Sequence, residues 1–233
     1  MDHKFQGSLS QNLTSMHWHS DPQNYKSPGE CQPYPGNINL SPAWFQQAHN
    51  ISKSLKQRSE NELTLEWLDE TSESFALMGA LLSIVHPELY EIRWEVLQKV
   101  ADHPEMVKDG EDVLEVMWLW TTPFLGYGLI SNCNTPLHRD SNSQGPWYDC
   151  LTTIGEYEIG GRLVLKNLGL ELDYASGTMV FLLGKLVQPG ISEINGNRVC
   201  IVQYMRDNVH ERMWVRLADW PTVSKTFMSL PKY

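Results

Sequence analysis

The chain has 233 residues and a formal net charge of −10, from 28 acidic and 18 basic residues. Hydrophobic residues make up 41% and charged residues 20%, which excludes a fibrous or wholly disordered chain and suffices for one sizeable core. The acidic excess argues against a general polyanion binder, because phosphate binding rests on clustered Lys and Arg. Cys31, Cys133, Cys150 and Cys200 lie far apart without CxxC spacing, which points to a reduced intracellular protein, cytoplasmic or nuclear, rather than a disulfide framework. The longest apolar run, from Phe75 to Val85, is too short to span a bilayer, so no membrane partner is expected. The N-terminus has no apolar stretch of the secretory kind.

Residues 1–40 are rich in Gln, Ser, Asn, Pro and Gly and poor in aliphatic residues. Such a segment buries too little to offset its ordering entropy, and it is expected to be a disordered N-terminal arm. Its HxH pair, His17 and His19, reads as two solvated side chains. Ser41 and Pro42 look like a helix N-cap and first turn, followed by Trp44, Ala48, Ile51 and Leu55 at helical spacing. A second helical pattern runs from about Leu63 to Val85. Pro87 opens a third, with Leu89, Ile92, Val96 and Val100 on one face.

From about Val113 the chain reads as short β segments: VLEVMWLW, YGLISN, YDCLTTI, RLVLKNL, GTMVFLLG, ISEI and RVCIVQYM. Glycines punctuate them, which suggests a sandwich or barrel. Asn195-Gly196 is a two-residue hairpin signal. That turn would set Ile194 opposite Asn197, Glu193 opposite Arg198 and Pro189 opposite Val202, with position 189 and Arg198 on one sheet face. The expected class is α+β: helices over 41–101 and a β core over about 112–217, in one domain of residues 41–221 with a tail at 222–233.

His138 and Asp140 stand in TPLHRD. In extended chain, residues i and i+2 share a face, so an imidazole nitrogen and a carboxylate oxygen can reach one metal ion. That is two-thirds of a 2-His-1-carboxylate triad, which leaves coordination positions open on Fe(II). Arg198 opens the last strong strand. Facing inward it can clamp a carboxylate through two parallel hydrogen bonds; facing outward it can pair with Glu193 across the strands.

The segments ISNCNTPLHRDSNS, WYDCLTTIGEYEIGGRLVL and SGTMVFLLGKLVQPGISEINGNRVCIVQYMRDNVHER give the stretch from about Leu63 to Leu217 a family likeness. It resembles the 2-oxoglutarate/Fe(II)-dependent dioxygenases, in particular the TET/JBP-like oxygenase domains numerous in mushroom-forming fungi. The resemblance implies a jelly-roll-like double-stranded β-helix with N-terminal helices packed on one face. It implies Fe(II) and 2-oxoglutarate as cofactors, His138 and Asp140 as iron ligands, and Arg198 as the anchor of the distal carboxylate. It also brings nucleic acid in as a partner, although the net charge lends that no support; a local cluster of Lys53, Lys56 and Arg58 is the nearest to a basic patch.

The sequence departs from the family at one place. The third iron ligand is a histidine about nine residues before the arginine, and here that position is Pro189, which has no donor atom on its side chain. The substitutes are His210, Glu193 or water. His210 lies 12 residues past Arg198, roughly 40 Å along a continuing strand at about 3.3 Å per residue. With two ligands, both cofactors are expected to be weak or lost. The protein is then either a dioxygenase with an incomplete triad, acting on an unknown substrate, or an inactive pseudoenzyme kept as a binding or scaffold protein. Trp147, Tyr148 and Asp149 border the substrate mouth, or Trp147 and Tyr148 plug the barrel end. Asn142 orients a ligand or sits in a turn, and Cys200 and Tyr204 alternate with Arg198 toward the interior.

Overall fold

The structure is a computed structural model and describes residues 18–43, 51–56, 62–108 and 110–224. The start of the expected arm, His17, Trp44–Asn50 of the expected first helix, and Arg58 lie outside the described residues. Of that first helix, Lys53–Leu55 form a single 3-10 turn. Two long helices follow, as the spacing predicts: α1 (Glu62–Val85) and α2 (Pro87–Asp102). His86 caps α2, its ring accepting the Leu89 N–H at 3.3 Å, and Pro87 fills the first turn, where a missing N–H costs nothing. Leu89, Ile92, Val96 and Val100 are all buried.

The expected strand VLEVMWLW is a helix, α3 (Gly110–Leu119). Val113, Val116 and Trp120 are buried, while Leu114 and Trp118 are exposed. Burial at intervals of three and four residues is a helical period. The β-branched and aromatic composition suits a strand, but the pattern decides. After the helices the chain therefore enters the sheet at Gly126, not near residue 112.

A five-stranded antiparallel sheet holds β1 (Gly36–Leu40), β2 (Gly126–Ser131), β8 (Ile194–Tyr204), β3 (Asp149–Gly160) and β6 (Met179–Leu182), in that order across it. A three-stranded sheet holds β5 (Leu170–Leu172), β4 (Leu163–Leu165) and β7 (Pro189–Ile191). From β3 onward the chain passes back and forth between the two sheets, with β4 and β5 as a hairpin within the short one, which is the winding of a double-stranded β-helix. Chain order ends with α4 (Asp207–Arg212).

Side chains on the central strands split between two cores, as the two-residue period requires. Tyr127, Leu129, Cys150, Ile154, Val199 and Ile201 join the large core with the helices. There Tyr127 is stacked between Phe75 and Trp120, each at a centroid distance of 4.3 Å. A smaller core of Leu163, Leu165, Tyr174, Leu182 and Val187 lies toward the short sheet.

Two further expectations need correction. Residues 18–40 are part of the fold, not a disordered arm. β1 pairs with β2 from Gly36↔Ser131 to Leu40↔Tyr127, and isolated bridges join His19 to Asn37 and Tyr25 to Cys133. Ile38 and Leu40 are buried in the large core, and polar side chains answer backbone groups of residues 32 and 33. Nor do Asn195 and Gly196 form a hairpin turn. Both lie within β8, paired with β3 at Asn195↔Ile159 and Gly196↔Tyr157, where the register shifts at a bulge. Gly196 has φ +112°, and a Cβ there would stand 2.2 Å from the Glu156 carbonyl oxygen. The positive φ at Gly196 serves the strand facing a bulge in β3 rather than a turn. Pro189 pairs with Leu165 of β4, in the other sheet, not with Val202.

Candidate functional site

A cavity of about 180 Å³ opens between the two sheets, lined by His138, Asp140, Pro189, Arg198, Cys200 and Tyr204 among others. Arg198, Cys200, Val202, Tyr204 and Arg206 alternate along β8 and its end, so one strand face supplies one wall. Position 189 and Arg198 meet in this cavity, by the two-sheet route rather than the hairpin route.

The HxD segment lies beside the chain that carries β7. The His138 N–H donates to the Pro189 carbonyl at 3.1 Å, and the Asp140 N–H donates to the Gly184 carbonyl at 3.0 Å. Gly184 permits that approach, because a Cβ there would stand 2.6 Å from Asp140 Oδ2. The His138 ring bonds through Nδ1 to the Pro136 carbonyl at 2.9 Å. A carbonyl only accepts, so Nδ1 carries the proton and Nε2 keeps its lone pair for a metal. His138 and Asp140 thus stand as two donors, and the neighbour of His138 is a proline. Among the described residues, no three His, Cys, Asp or Glu side chains come together to hold a metal. Iron bound here would find two of the three protein donors of the expected triad.

At the other end of the same wall, Arg198 is 2% exposed. Its Nε donates to Thr153 Oγ1 at 2.7 Å, and its guanidinium lies over the Tyr174 ring at 5.2 Å. Thr153 is held in turn by Tyr157 at 3.1 Å, whose hydroxyl donates to the Tyr174 carbonyl at 2.6 Å. No carboxylate of a described residue reaches ion-pair distance of Arg198, Glu193 included. A buried guanidinium fixed by one nitrogen, with a cavity before it, can take an anion from outside the protein. The residues fit the distal carboxylate of 2-oxoglutarate here.

The wall near Asp149 carries a charged cluster. Asp149 accepts from Ser143 at 3.1 Å and pairs with Arg206 at 3.3 Å. Arg93, fully buried on α2, donates to the Tyr148 carbonyl at 3.1 Å and lies over the Phe124 ring at 4.5 Å. Arg93 Nε and Nη1 and Asp149 Oδ1 have no hydrogen-bond partner among the described residues. Burial pushes the Asp149 carboxyl up, against the pull of Arg206 and Arg93. Burial likewise lowers Arg93 to about 9, with Asp149 opposing. Arg206 also lies over the Tyr204 ring at 4.5 Å. The sequence reading missed Arg93 and Arg206; the even spacing of Arg206 from Arg198 was a usable signal, whereas Arg93 sits within a helix and had none.

His210 does not replace the third ligand. It is 0% exposed, its Nδ1 meets the Arg216 carbonyl at 3.3 Å and its Nε2 the Met205 sulfur at 3.2 Å. Trp147 lies against it with the rings tilted by 43° and their centroids 4.4 Å apart, and donates through Nε1 to the Ala218 carbonyl at 3.2 Å. Trp147 therefore plugs the core. Burial lowers His210 to about 4. Asn142 lies exposed in a turn.

Comparison with known proteins adds the following. NgTET1, solved in complex with 5mC DNA, is similar in structure, with a TM-score of 0.51 and 13% identity over 74% of this chain. This chain covers 61% of that one, and at such identity the likeness is one of fold. Curated proteins give no match. The sequence profile of Tet_JBP matches residues 41–207. With the double-stranded β-helix, that match establishes that the chain belongs to the Tet_JBP family, the oxygenase domain of the 2OGFeDO superfamily.

Proposed function

We propose that this domain is a 2-oxoglutarate- and Fe(II)-dependent oxygenase whose iron is held by two protein ligands, His138 and Asp140. The observation that carries the reading is Arg198, buried and without a carboxylate partner among the described residues, in the cavity that His138 and Asp140 also line. Arg198 holds the distal carboxylate. His138 presents Nε2 and Asp140 a carboxylate oxygen. Iron, when bound, supplies the redox centre at which oxygen is activated. A second reading keeps the cavity as a binding site without turnover; Pro189 beside His138 favours it. A nucleic-acid substrate has one support, the likeness of fold to NgTET1, and the charge of −10 opposes it. Four free, buried cysteines support a reducing, intracellular setting.

Anaerobic titration of Fe(II), with and without 2-oxoglutarate, tests this in the wild type and in Pro189→His, followed by succinate release in air. The wild type should bind Fe(II) weakly, more tightly with 2-oxoglutarate, and release succinate. Pro189→His should tighten Fe(II) at least about tenfold. Succinate from Pro189→His alone would establish the binding-only reading for the natural chain. Absence of 2-oxoglutarate binding in both would overturn both readings.

A further inference from the structure

Asn132 follows β2 directly, at the Arg198 end of the cavity. It is 2% exposed and has φ +49°, a left-handed conformation that Asn tolerates better than most residues. Every polar group it owns is used. Its N–H donates to the Arg198 carbonyl at 2.7 Å, and its Oδ1 accepts the Arg198 N–H at 3.0 Å. The left-handed turn swings its carbonyl out of the ladder, and the side-chain oxygen takes that carbonyl's place opposite Arg198. The displaced carbonyl accepts the Lys26 N–H at 3.1 Å, and Nδ2 donates to the Pro33 carbonyl at 2.8 Å. Beside it, Lys26 Nζ donates to the Gly196 carbonyl and the Gln32 N–H donates to Asn197 Oδ1 at 3.0 Å.

We propose that Asn132 is the positioning residue for Arg198, and that through it residues 26–33 form a strap that fixes the arginine's place at the end of the cavity. The proposal rests on the reading of Arg198 as a carboxylate anchor. The two hydrogen bonds at Asn132 clamp both backbone groups of Arg198 from one side, while Thr153 fixes its Nε from the other. A guanidinium so held is aimed before its ligand arrives, and little ordering is left to do on binding.

The test is calorimetric titration of the whole chain with 2-oxoglutarate and with 2-oxovalerate, which lacks the distal carboxylate, each with excess Mn(II). The wild type should prefer 2-oxoglutarate by about tenfold or more, and Arg198→Met should abolish the preference. No preference in the wild type, or one that survives Arg198→Met, overturns the anchor reading and this inference with it. Given that preference, Asn132→Gly keeps the left-handed backbone without strain and removes the side-chain bonds to Arg198, Pro33 and Ser131. It should reduce the ratio of affinities about fivefold or more and leave 2-oxovalerate unchanged. An unchanged ratio, or an equal loss for both ligands, overturns the role of Asn132 and leaves the anchor reading standing. Should Asn132→Gly not fold, hydrogen exchange on the wild type decides. Adding 2-oxoglutarate with Mn(II) should slow exchange in residues 26–33 and 197–200 together, and protection of 197–200 alone would overturn the proposal.

Discussion

His210 keeps its proton off until the solution is strongly acidic, because its ring is sealed beneath Trp147 and Arg93 adds like-charge repulsion. The unfolded chain takes up that proton near pH 6.5, the folded chain near 4. The folded value is the lower one, so the contribution to stability is complete above pH 6.5. It is lost as pH falls from 6.5 to about 4, where the unfolded state holds more protons. That loss is worth about 3 kcal/mol for a shift of this size. Urea melts at pH 7 and pH 4.5 should show a smaller acid loss in His210→Gln than in the wild type. Equal losses would mean that other groups carry the acid sensitivity. Asp149 and Arg93 act in the same region by another route. Each is buried and each leaves polar atoms unanswered, so neither tolerates losing the other.

At the scale of elements, the bulge in β3 opposite Asn195 and Gly196 sets how β3 crosses the strand that bears Arg198. Gly196→Ala would drive a Cβ to 2.7 Å from Tyr157 Cα as well as into the Glu156 carbonyl. It should cost about 3 kcal/mol, read as a lower urea midpoint at unchanged slope. A neutral result would show that the bulge can relax. The same element shows how far the sequence could be read. Asn-Gly announces a positive φ, and the positive φ is there; whether it makes a turn or faces a bulge depends on which strand lies alongside, and no local signal carries that. Both long helices were legible because Leu89, Ile92, Val96 and Val100 keep one face. α3 was not, because Val113, Val116 and Trp120 sit among other large apolar residues that hide the period. β5 was missed because all three of its residues are exposed, so no alternation marks it. Of the site, His138, Asp140 and Arg198 were legible through residue type and spacing, and the cavity brings them to one place. Asn132 was not, since its role comes from a backbone conformation and from a segment more than 90 residues earlier in the chain.

For the whole molecule, the charge of −10 is a long-range repulsion toward a phosphate backbone. Lys53 and Lys56, the two described members of the expected basic cluster, open and cap one short 3-10 turn. Duplex DNA, methylated or not, should therefore give no anisotropy shift at 50 mM salt. A shift that fades as salt rises would show a local basic groove strong enough to outweigh the net charge, and would favour a nucleic-acid substrate.

The two sheets are unequal. β3 and β8 pair over ten residue positions, whereas β4, β5 and β7 are three residues each and are backed by the smaller core. The cavity therefore has one stiff wall and one yielding wall. Opening the short sheet breaks few backbone bonds, so it should occur far below the free energy of global unfolding. Amides of β4, β5 and β7 should exchange with solvent much sooner than those of β3 and β8, and a filled cavity should narrow the gap. Such a gap would make the wall that carries Pro189 the yielding side of the site.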